Sequence, residues 1–132
     1  MSADVKPDRH YTKDHEWALL ENGELLIGIT SFAVHQLGDI TLVNIDLAKG
    51  DHVDAKAAFG TIESVKTLSD LFAPASGTIV AVNPALEDTP EIINQDCWGE
   101  GWMIRLKPDS EDPLSGLLDP SAYTALVESS DS

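Results

Sequence analysis

Short segments in which apolar and polar residues alternate recur along most of the chain. Segments of this kind, separated by Gly, Pro, Asn and Asp, are typical of strands in a small all-β sandwich or barrel. The predicted strands are HEWALLE (15–21), ELLIGIT (24–30), ITLVNI (40–45), AAFGTIE (57–63), GTIVAVN (77–83) and GWMIRLK (101–107). The pattern therefore predicts a mainly β fold.

Three segments have a helical rather than a strand pattern. TSFAVHQLG (30–38) offers Thr30 or Ser31 as a helix start and ends at a glycine. DPSAYTALVESS opens with Asp and Pro in cap and first-turn positions, which predicts a C-terminal helix over about residues 119–128. NPALEDTPEIINQ (83–95) is compatible with one or two further helical turns. The helices are expected to be short and peripheral.

Two parts of the chain resemble each other. GDITLVNIDL and SGTIVAVNPAL align so that Gly38 matches Gly77 and Asn44 matches Asn83. Two similar β units on either side of a central hairpin would form a two-fold sandwich, while chance similarity between two glycine-started strands is the alternative.

The chain has 132 residues and 42% hydrophobic content. We therefore expect one domain over residues 1–132, with its core at about 11–107.

The charge of the chain narrows the classes of partner. Its formal net charge is −15, from 8 Lys and Arg against 23 Asp and Glu. Such a chain repels phosphate backbones and anionic lipid, so nucleic-acid and membrane binding are not expected. The apolar runs are far shorter than the ~20 residues that span a bilayer, and MSADVKPDRH lacks the layout of a signal peptide. We expect a soluble, cytoplasmic monomer.

The side chains that could carry chemistry are few. Cys97 is the single cysteine, so an intramolecular disulfide is excluded, and we expect it to be a packed thiol rather than a redox-active one. The four histidines lack the spacing of a zinc site, and we expect them to be surface or packing residues. No convergent acid, base or nucleophile set is present, so no catalytic residue and no metal site are predicted.

TIESVKTLSD (61–70) contains an isolated cation. Lys66 is the only Lys or Arg between Ala57 and Ile104, and apolar residues on both sides of the segment predict a hairpin with Lys66 near its tip. Glu63 and Asp70 favour the ammonium form of the lysine, which argues against a Schiff-base catalyst. An exposed lysine with distinctive neighbours suits acylation by another enzyme, and an ordinary surface lysine is the alternative.

Five segments together resemble one family in order along nearly the whole chain. They are YTKDHEW, GITSFAVHQLGDI, ESVKTLSD, APASGTIVAVN and NQDCWGEGWMIRLK. Each resembles the corresponding part of the H protein of the glycine cleavage system. The resemblance implies a flattened β-sandwich or hybrid barrel of the lipoyl/biotinyl-domain type, built from two pseudo-symmetric β units. It agrees with the internal similarity noted above.

The resemblance also implies a site. Lys66 corresponds to the residue that carries lipoic acid in amide linkage, and the surrounding motif residues are Glu63, Ser64, Val65, Ser69 and Asp70. Glu16 and Asp70 correspond to positions that contact the amine of the loaded arm by charge-assisted hydrogen bonds. For both, an ordinary exposed carboxylate of an acidic protein is the alternative.

The activity that the resemblance implies is that of a carrier and not of an enzyme. A lipoate ligase, or an octanoyltransferase with lipoyl synthase, would attach the arm. Decarboxylating glycine dehydrogenase would load an aminomethyl group from glycine, and aminomethyltransferase would pass the carbon to tetrahydrofolate. Dihydrolipoamide dehydrogenase would then reoxidise the arm. A tethered arm acts by effective concentration, because it meets each active site without free diffusion of the intermediate.

Several positions depart from the pattern of the family. Ser31 and Val34 stand where Asp and Gln are usual, NIDLAKG lacks the usual Pro, and Cys97 and Trp98 stand where Pro and Tyr are common. These departures leave the lipoylation motif intact but keep a second pathway open, in which an H-like lipoate-binding protein serves a heterodisulfide-reductase-like sulfur oxidation complex. A biotinyl carrier is a third alternative, although its lysine normally lies between methionines.

Overall fold

The computed structural model describes residues 5–130. Within that range the chain forms nine strands and four helices. The strands are β1 (His10–Tyr11), β2 (Glu16–Glu21), β3 (Glu24–Ile29), β4 (Ile40–Ile45), β5 (His52–Val53), β6 (Ala58–Ser64), β7 (Leu68–Phe72), β8 (Gly77–Val82) and β9 (Ile104–Pro108). The helices are α1 (Ser31–Leu37), α2 (Ala85–Asp88), α3 (Ile92–Asp96) and α4 (Pro120–Ser130). Residues 1–4 and 131–132 of the predicted domain, including the start of the segment considered for a signal peptide, lie outside the described range.

The strands form two antiparallel sheets. The larger sheet has the order β1-β2-β3-β9-β8-β5, and the smaller has the order β4-β6-β7. Alternate apolar side chains of both sheets are removed from water and share one core, which includes Ile27, Phe59, Ile62, Ile79 and Leu106. The predicted mainly β sandwich with short helices and a C-terminal helix is confirmed.

Helix α1 is the helix whose ends were best predicted. Thr30 is its N-cap, since Oγ1 of Thr30 accepts a hydrogen bond from the backbone N–H of Ala33 at 3.2 Å. Gly38 ends the helix at φ +80°, and its N–H donates to the carbonyl of Val34 at 2.9 Å. Local cap chemistry is sufficient to define these boundaries.

Two differences from the predicted strands have a simple cause. Strand β9 begins at Ile104 and not at Gly101, because residues 99–102 form hydrogen-bonded turns. Strands β1 and β5 have two residues each, which is too short for an alternating pattern to be recognised. The predicted turns in NPALEDTPEIINQ are the two short helices α2 and α3.

The two segments with internal similarity lie in different sheets. In β4, Val43 lies opposite Ile62, and in β8, Val82 lies opposite Ile104. Each segment thus pairs with an antiparallel neighbour in its own sheet, as two similar β units would.

None of the helices between residues 5 and 130 has the length and apolar character needed to cross a membrane.

Helix α4 closes one end of the sandwich. Asp119 caps the N-terminus of the helix, since its Oδ1 accepts a hydrogen bond from the backbone N–H of Ala122 at 2.8 Å. The helix contributes Tyr123 and Val127, both fully buried, to a second apolar cluster with Tyr11 and Trp17. The rings of Tyr123 and Tyr11 are stacked, with centroids 4.4 Å apart. The helix extends two residues beyond the predicted range, to Ser130.

Candidate functional site

Lys66 lies in the turn between β6 and β7. The two strands pair so that Glu63 lies opposite Leu68. Ser64 is buried and organises the turn: its N–H donates to the carbonyl of Thr67 at 2.9 Å, and its Oγ accepts from the N–H groups of Lys66 and Thr67, each at 3.2 Å. A serine hydroxyl that accepts backbone N–H groups two and three residues ahead is a common way to stabilise a tight turn. Lys66 itself is exposed.

The tip of this hairpin is fixed to the loop between α1 and β4. The N–H of Val65 donates to the carbonyl of Asp39 at 3.1 Å. The side chain of Asn94 makes two hydrogen bonds to the backbone of the same loop, at 2.8 and 3.0 Å. Gly38 lies beside the aliphatic part of Lys66, since a Cβ at Gly38 would be 3.5 Å from Cε of Lys66. The lysine is therefore exposed on a supported turn, as acylation by another enzyme requires.

A groove of about 320 Å³ lies beside the hairpin. It is bounded by β7, by the turn between β1 and β2, and by α1. Its lining includes residues with charged or hydrogen-bonding side chains, among them Asp14, His15, Glu16, Thr67, Ser69 and Asp70. Ile29, Leu37 and Ile62 give the groove an apolar part. The fold thus brings Glu16 and Asp70 to one groove that begins next to Lys66.

Glu16 is a buried carboxyl group and not the exposed one that the alternative assumed. Its side chain is 2% exposed. Oε1 accepts a hydrogen bond from Oγ1 of Thr12 at 2.9 Å, and Oε2 accepts from the N–H of Phe72 at 3.0 Å. Burial raises the pKa of Glu16 to about 8, because no cation compensates for the lost hydration, although the two hydrogen bonds oppose the shift. Asp70, by contrast, is exposed.

Sequence reasoning did not identify His15 and Asp14 as groove residues. His15 is half-buried in the wall of the groove, and burial lowers the pKa of its imidazole. Its Nδ1 lies 2.9 Å from the hydroxyl of Tyr123, which is 108 residues away in the chain. A contact over that separation leaves no local signal in the sequence.

Other candidate groups lie away from the groove. Cys97 is buried in the main core as expected, and burial raises the pKa of its thiol to about 11. A larger cavity of about 530 Å³ shares Asp14 and Glu16 with the groove, but none of residues 64–70 lines it. Among residues 5–130, no cluster of three or more His, Cys, Asp and Glu side chains is arranged to hold a metal ion.

Three of the positions that depart from the family pattern pack wholly or partly inward, whereas the segment NIDLAKG is largely exposed. Val34 packs against the main core, and Cys97 is part of it. Trp98 forms an edge-to-face contact with Tyr11 at 6.2 Å, and the guanidinium of Arg9 lies 5.3 Å from its ring centre. These side chains affect internal packing more than the surface around Lys66.

A row of three exposed side chains, apolar at both ends and acidic in the middle, crosses the smaller sheet near Lys66. Leu42 of β4 lies opposite Glu63 of β6, which lies opposite Leu68 of β7. Leu42 is 49% exposed and Leu68 is 63% exposed, while Val65 in the turn is 65% exposed. Several large apolar side chains that remain in water on one part of the surface commonly mark an interaction surface.

Comparison with known proteins agrees with the fold and the motif. The family model described as "Glycine cleavage H-protein" matches residues 9–130. A glycine cleavage system H protein of Bacteroides fragilis is 50% identical over 117 residues, which cover 89% of this chain and 92% of that protein. One from Thermus thermophilus is 49% identical over 126 residues, which cover 96% of this chain and 98% of that protein.

A solved structure gives the same result. The crystal structure of a glycine cleavage system H protein from Mycobacterium marinum matches with a TM-score of 0.84 at 41% identity. The match covers 92% of this chain and 97% of that chain. Sequence and structure therefore agree that this chain belongs to the glycine cleavage H-protein family.

Proposed function

We propose that this chain is the lipoyl carrier of a glycine cleavage system, with lipoic acid joined by an amide bond to Nζ of Lys66. The observation that carries the proposal is the exposed Lys66 on a turn held by Ser64 and by the α1–β4 loop. Residues 1–132 would act as one carrier domain without catalytic groups of their own. Acylation removes the positive charge of the lysine, so this acidic face becomes more negative.

The residues around Lys66 fit a lipoyl group. When bound, the group supplies a disulfide that accepts an aminomethyl group and two electrons and returns to the disulfide on oxidation. Ile29, Leu37 and Ile62 offer apolar contacts to its hydrocarbon chain. Glu16 and Asp70 offer carboxylate oxygens to a terminal amine. We infer that the groove shelters the amine from water between visits to the partner enzymes.

Membership of the family supports a set of partner enzymes. They are decarboxylating glycine dehydrogenase, aminomethyltransferase and dihydrolipoamide dehydrogenase, with a lipoate ligase or an octanoyltransferase and lipoyl synthase for attachment. A change of partner is expected to alter exposed residues. Of the departures, Val34, Cys97 and Trp98 pack against the interior, which supports this set over a heterodisulfide-reductase-like complex, whereas NIDLAKG is the departure that lies largely on the surface. Val65 and Thr67 around the lysine argue against a biotinyl carrier.

Reconstitution distinguishes the two pathways. We expect the lipoylated protein to support glycine decarboxylation when it is mixed with the other three components, tetrahydrofolate and NAD. The measurement is the release of labelled carbon dioxide from carboxyl-labelled glycine. A fully lipoylated sample that gives no release above the level without the protein would favour the sulfur-oxidation alternative.

The exposed row of Leu42, Leu68 and Val65 is assigned to the enzyme that attaches the lipoyl group. That enzyme must bring its reacting acyl group to Nζ of Lys66, so it contacts the side chains nearest the turn. Enzymes that use the arm meet its far end instead. Glu63 between the two leucines favours a partner with an apolar contact surface and a basic edge.

Replacing both Leu42 and Leu68 by serine should slow lipoyl attachment. Loss of two leucine contacts with the attaching enzyme is expected to lower its kcat/KM by about 10-fold. Initial rates are measured by intact mass. Leu20→Ser is the matched control, because Leu20 is 43% exposed but lies in β2 of the larger sheet. Equal rates for the double variant and the control would show that the row is not the contact.

A further inference from the structure

A buried series of hydrogen bonds connects the C-terminal helix to the wall of the groove. The Oη atom of Tyr123 lies 2.7 Å from Oγ1 of Thr30 and 2.9 Å from Nδ1 of His15. Tyr123 and Thr30 are fully buried, whereas His15 lines the groove. Carriage of the lipoyl arm on Lys66 does not by itself require His15 or Tyr123.

The direction of these hydrogen bonds follows from the requirement that each buried hydroxyl hydrogen has an acceptor. Oγ1 of Thr30 already accepts from the N–H of Ala33 at 3.2 Å. If Thr30 donates to Tyr123 and Tyr123 donates to Nδ1 of His15, both buried hydroxyl hydrogens have an acceptor. In the opposite direction Oγ1 of Thr30 would accept twice, and its own hydrogen would need a further acceptor. Because buried hydroxyl groups are nearly always paired, the first direction is favoured.

This direction of the hydrogen bonds determines the tautomer of the His15 imidazole. A neutral imidazole that accepts at Nδ1 carries its hydrogen on Nε2. Burial lowers the pKa of His15, which is consistent with a neutral ring. His15 is therefore an N–H donor in a groove whose other titratable side chains, Asp14, Glu16 and Asp70, are carboxyl groups.

The position of the ring is held from several sides. The backbone of His15 has φ +69°, and its carbonyl accepts from the N–H of Thr30 at 3.0 Å. The ring of Phe32 lies 4.7 Å from the imidazole, centre to centre. Tyr123 is held in turn by its stacking on Tyr11. Such restraint is what a precisely directed donor requires.

We propose that Nε2 of His15 donates a hydrogen bond to a sulfur of the reduced lipoyl arm in the groove, and that Tyr123 is the positioning residue that fixes the His15 tautomer. The proposal rests on the proposed function, because it needs an arm on Lys66. The three carboxyl groups suit a terminal amine but repel a thiolate. The N–H of His15 supplies the donor that a thiolate sulfur needs beside them. No bond is made or broken in this contact.

The thiol pKa of the arm tests the proposal. Lipoylation of Lys66 is first verified by intact mass, and the arm is then reduced with a phosphine. Its alkylation by iodoacetamide is followed from pH 6 to 11, and alkylation of Cys97 is subtracted with unlipoylated Lys66→Arg protein. Tyr123→Phe keeps the imidazole but removes the hydroxyl that fixes its tautomer and orientation, so the hydrogen bond from Nε2 to the sulfur is weakened. The thiol pKa should therefore rise in Tyr123→Phe, by less than the shift of about one unit that corresponds to complete loss of the donor.

Tyr11→Phe is the matched control. It keeps the same ring stack but removes a hydroxyl that donates to the carbonyl of Lys6 at 2.6 Å and has no contact with His15. We expect its arm to keep the wild-type thiol pKa. Equal shifts in Tyr11→Phe and Tyr123→Phe would overturn the proposal, because the effect would then come from packing.

Substitutions of His15 keep the proposal testable if Tyr123→Phe does not fold. His15→Leu should raise the thiol pKa by about one unit, whereas His15→Gln retains an N–H donor near the position of Nε2 and should restore most of the shift. In the His15→Gln background, Tyr123→Phe should have no further effect. A lipoylated His15→Leu protein with an unchanged thiol pKa would overturn the proposal, whereas failure of Lys66 to accept a lipoyl group would contradict the proposed function itself.

Discussion

Lys66→Arg should reduce glycine decarboxylation in the reconstituted system to the level measured without the carrier. Arginine keeps the positive charge and most of the length of the side chain, but its guanidinium stays protonated and does not form the amide. Because Lys66 is exposed, the substitution should leave the fold intact. The measurement is labelled carbon dioxide release after treatment of both proteins with the attaching enzyme.

Lys49→Arg is the control for this variant. Lys49 is also exposed and lies outside the hairpin. It should accept the substitution without any change in decarboxylation. Residual activity of Lys66→Arg above the carrier-free level would mean that another group carries the arm.

Glu16→Gln should shorten the lifetime of the aminomethyl-loaded protein in water by roughly 10- to 100-fold. This range corresponds to the loss of a hydrogen bond to a charged group, about 1.5 to 3 kcal/mol. The carboxyl group of Glu16 is nearly neutral at pH 7 in the unloaded protein, since its pKa is about 8. An amine in the groove stabilises the carboxylate and can take its proton. Formaldehyde release from the loaded protein measures the lifetime.

Glu21→Gln is the matched control, because Glu21 lies in the same strand but is exposed. Its loaded form should have the wild-type lifetime. If Glu16→Gln and Glu21→Gln release formaldehyde at the same rate, the buried carboxyl group does not hold the amine.

The carboxyl group of Glu16 also makes the free energy of unfolding of the unloaded protein depend on pH. The folded-state pKa of Glu16, about 8, is above the ordinary value of 4.5 for a glutamate in water, so between these pH values the folded state binds a proton that the unfolded state has lost. The contribution of Glu16 to stability is therefore lost as the pH rises from about 5 to 8. At about 1.4 kcal/mol per unit, the loss is on the order of 4 kcal/mol. Chemical denaturation at pH 5 and pH 9 should show it in wild type and not in Glu16→Gln.

Local patterns explain why the hairpin was predictable. The apolar residues that flank ESVK predicted two pairing strands, and the structure has β6 and β7 at these positions. Two further features can be read from the same short segment. Lys66 is isolated among acidic residues, and a serine lies two positions before it. The same holds for α1, whose cap residues Thr30 and Gly38 lie next to the helix they define.

Long-range contacts explain what the sequence did not predict. Glutamate is rarely buried, so Glu16 was given an exposed alternative. Its burial depends on a backbone N–H of Phe72, 56 residues away in the chain. The sequence predicts only a surface or packing role for His15 for the same reason, since its partner Tyr123 lies on the C-terminal helix. Periodicity and propensity describe neighbours in sequence and contain no information on such pairs.

The most direct test is the intact mass and peptide map of the protein after expression with lipoate and a competent attaching enzyme. We expect a single lipoyl increment, located on the peptide that contains Lys66 and absent from Lys66→Arg. A protein that stays unmodified under conditions that lipoylate another glycine cleavage H protein, or that carries the increment on a different lysine, would contradict the assignment of Lys66 as the lipoyl site.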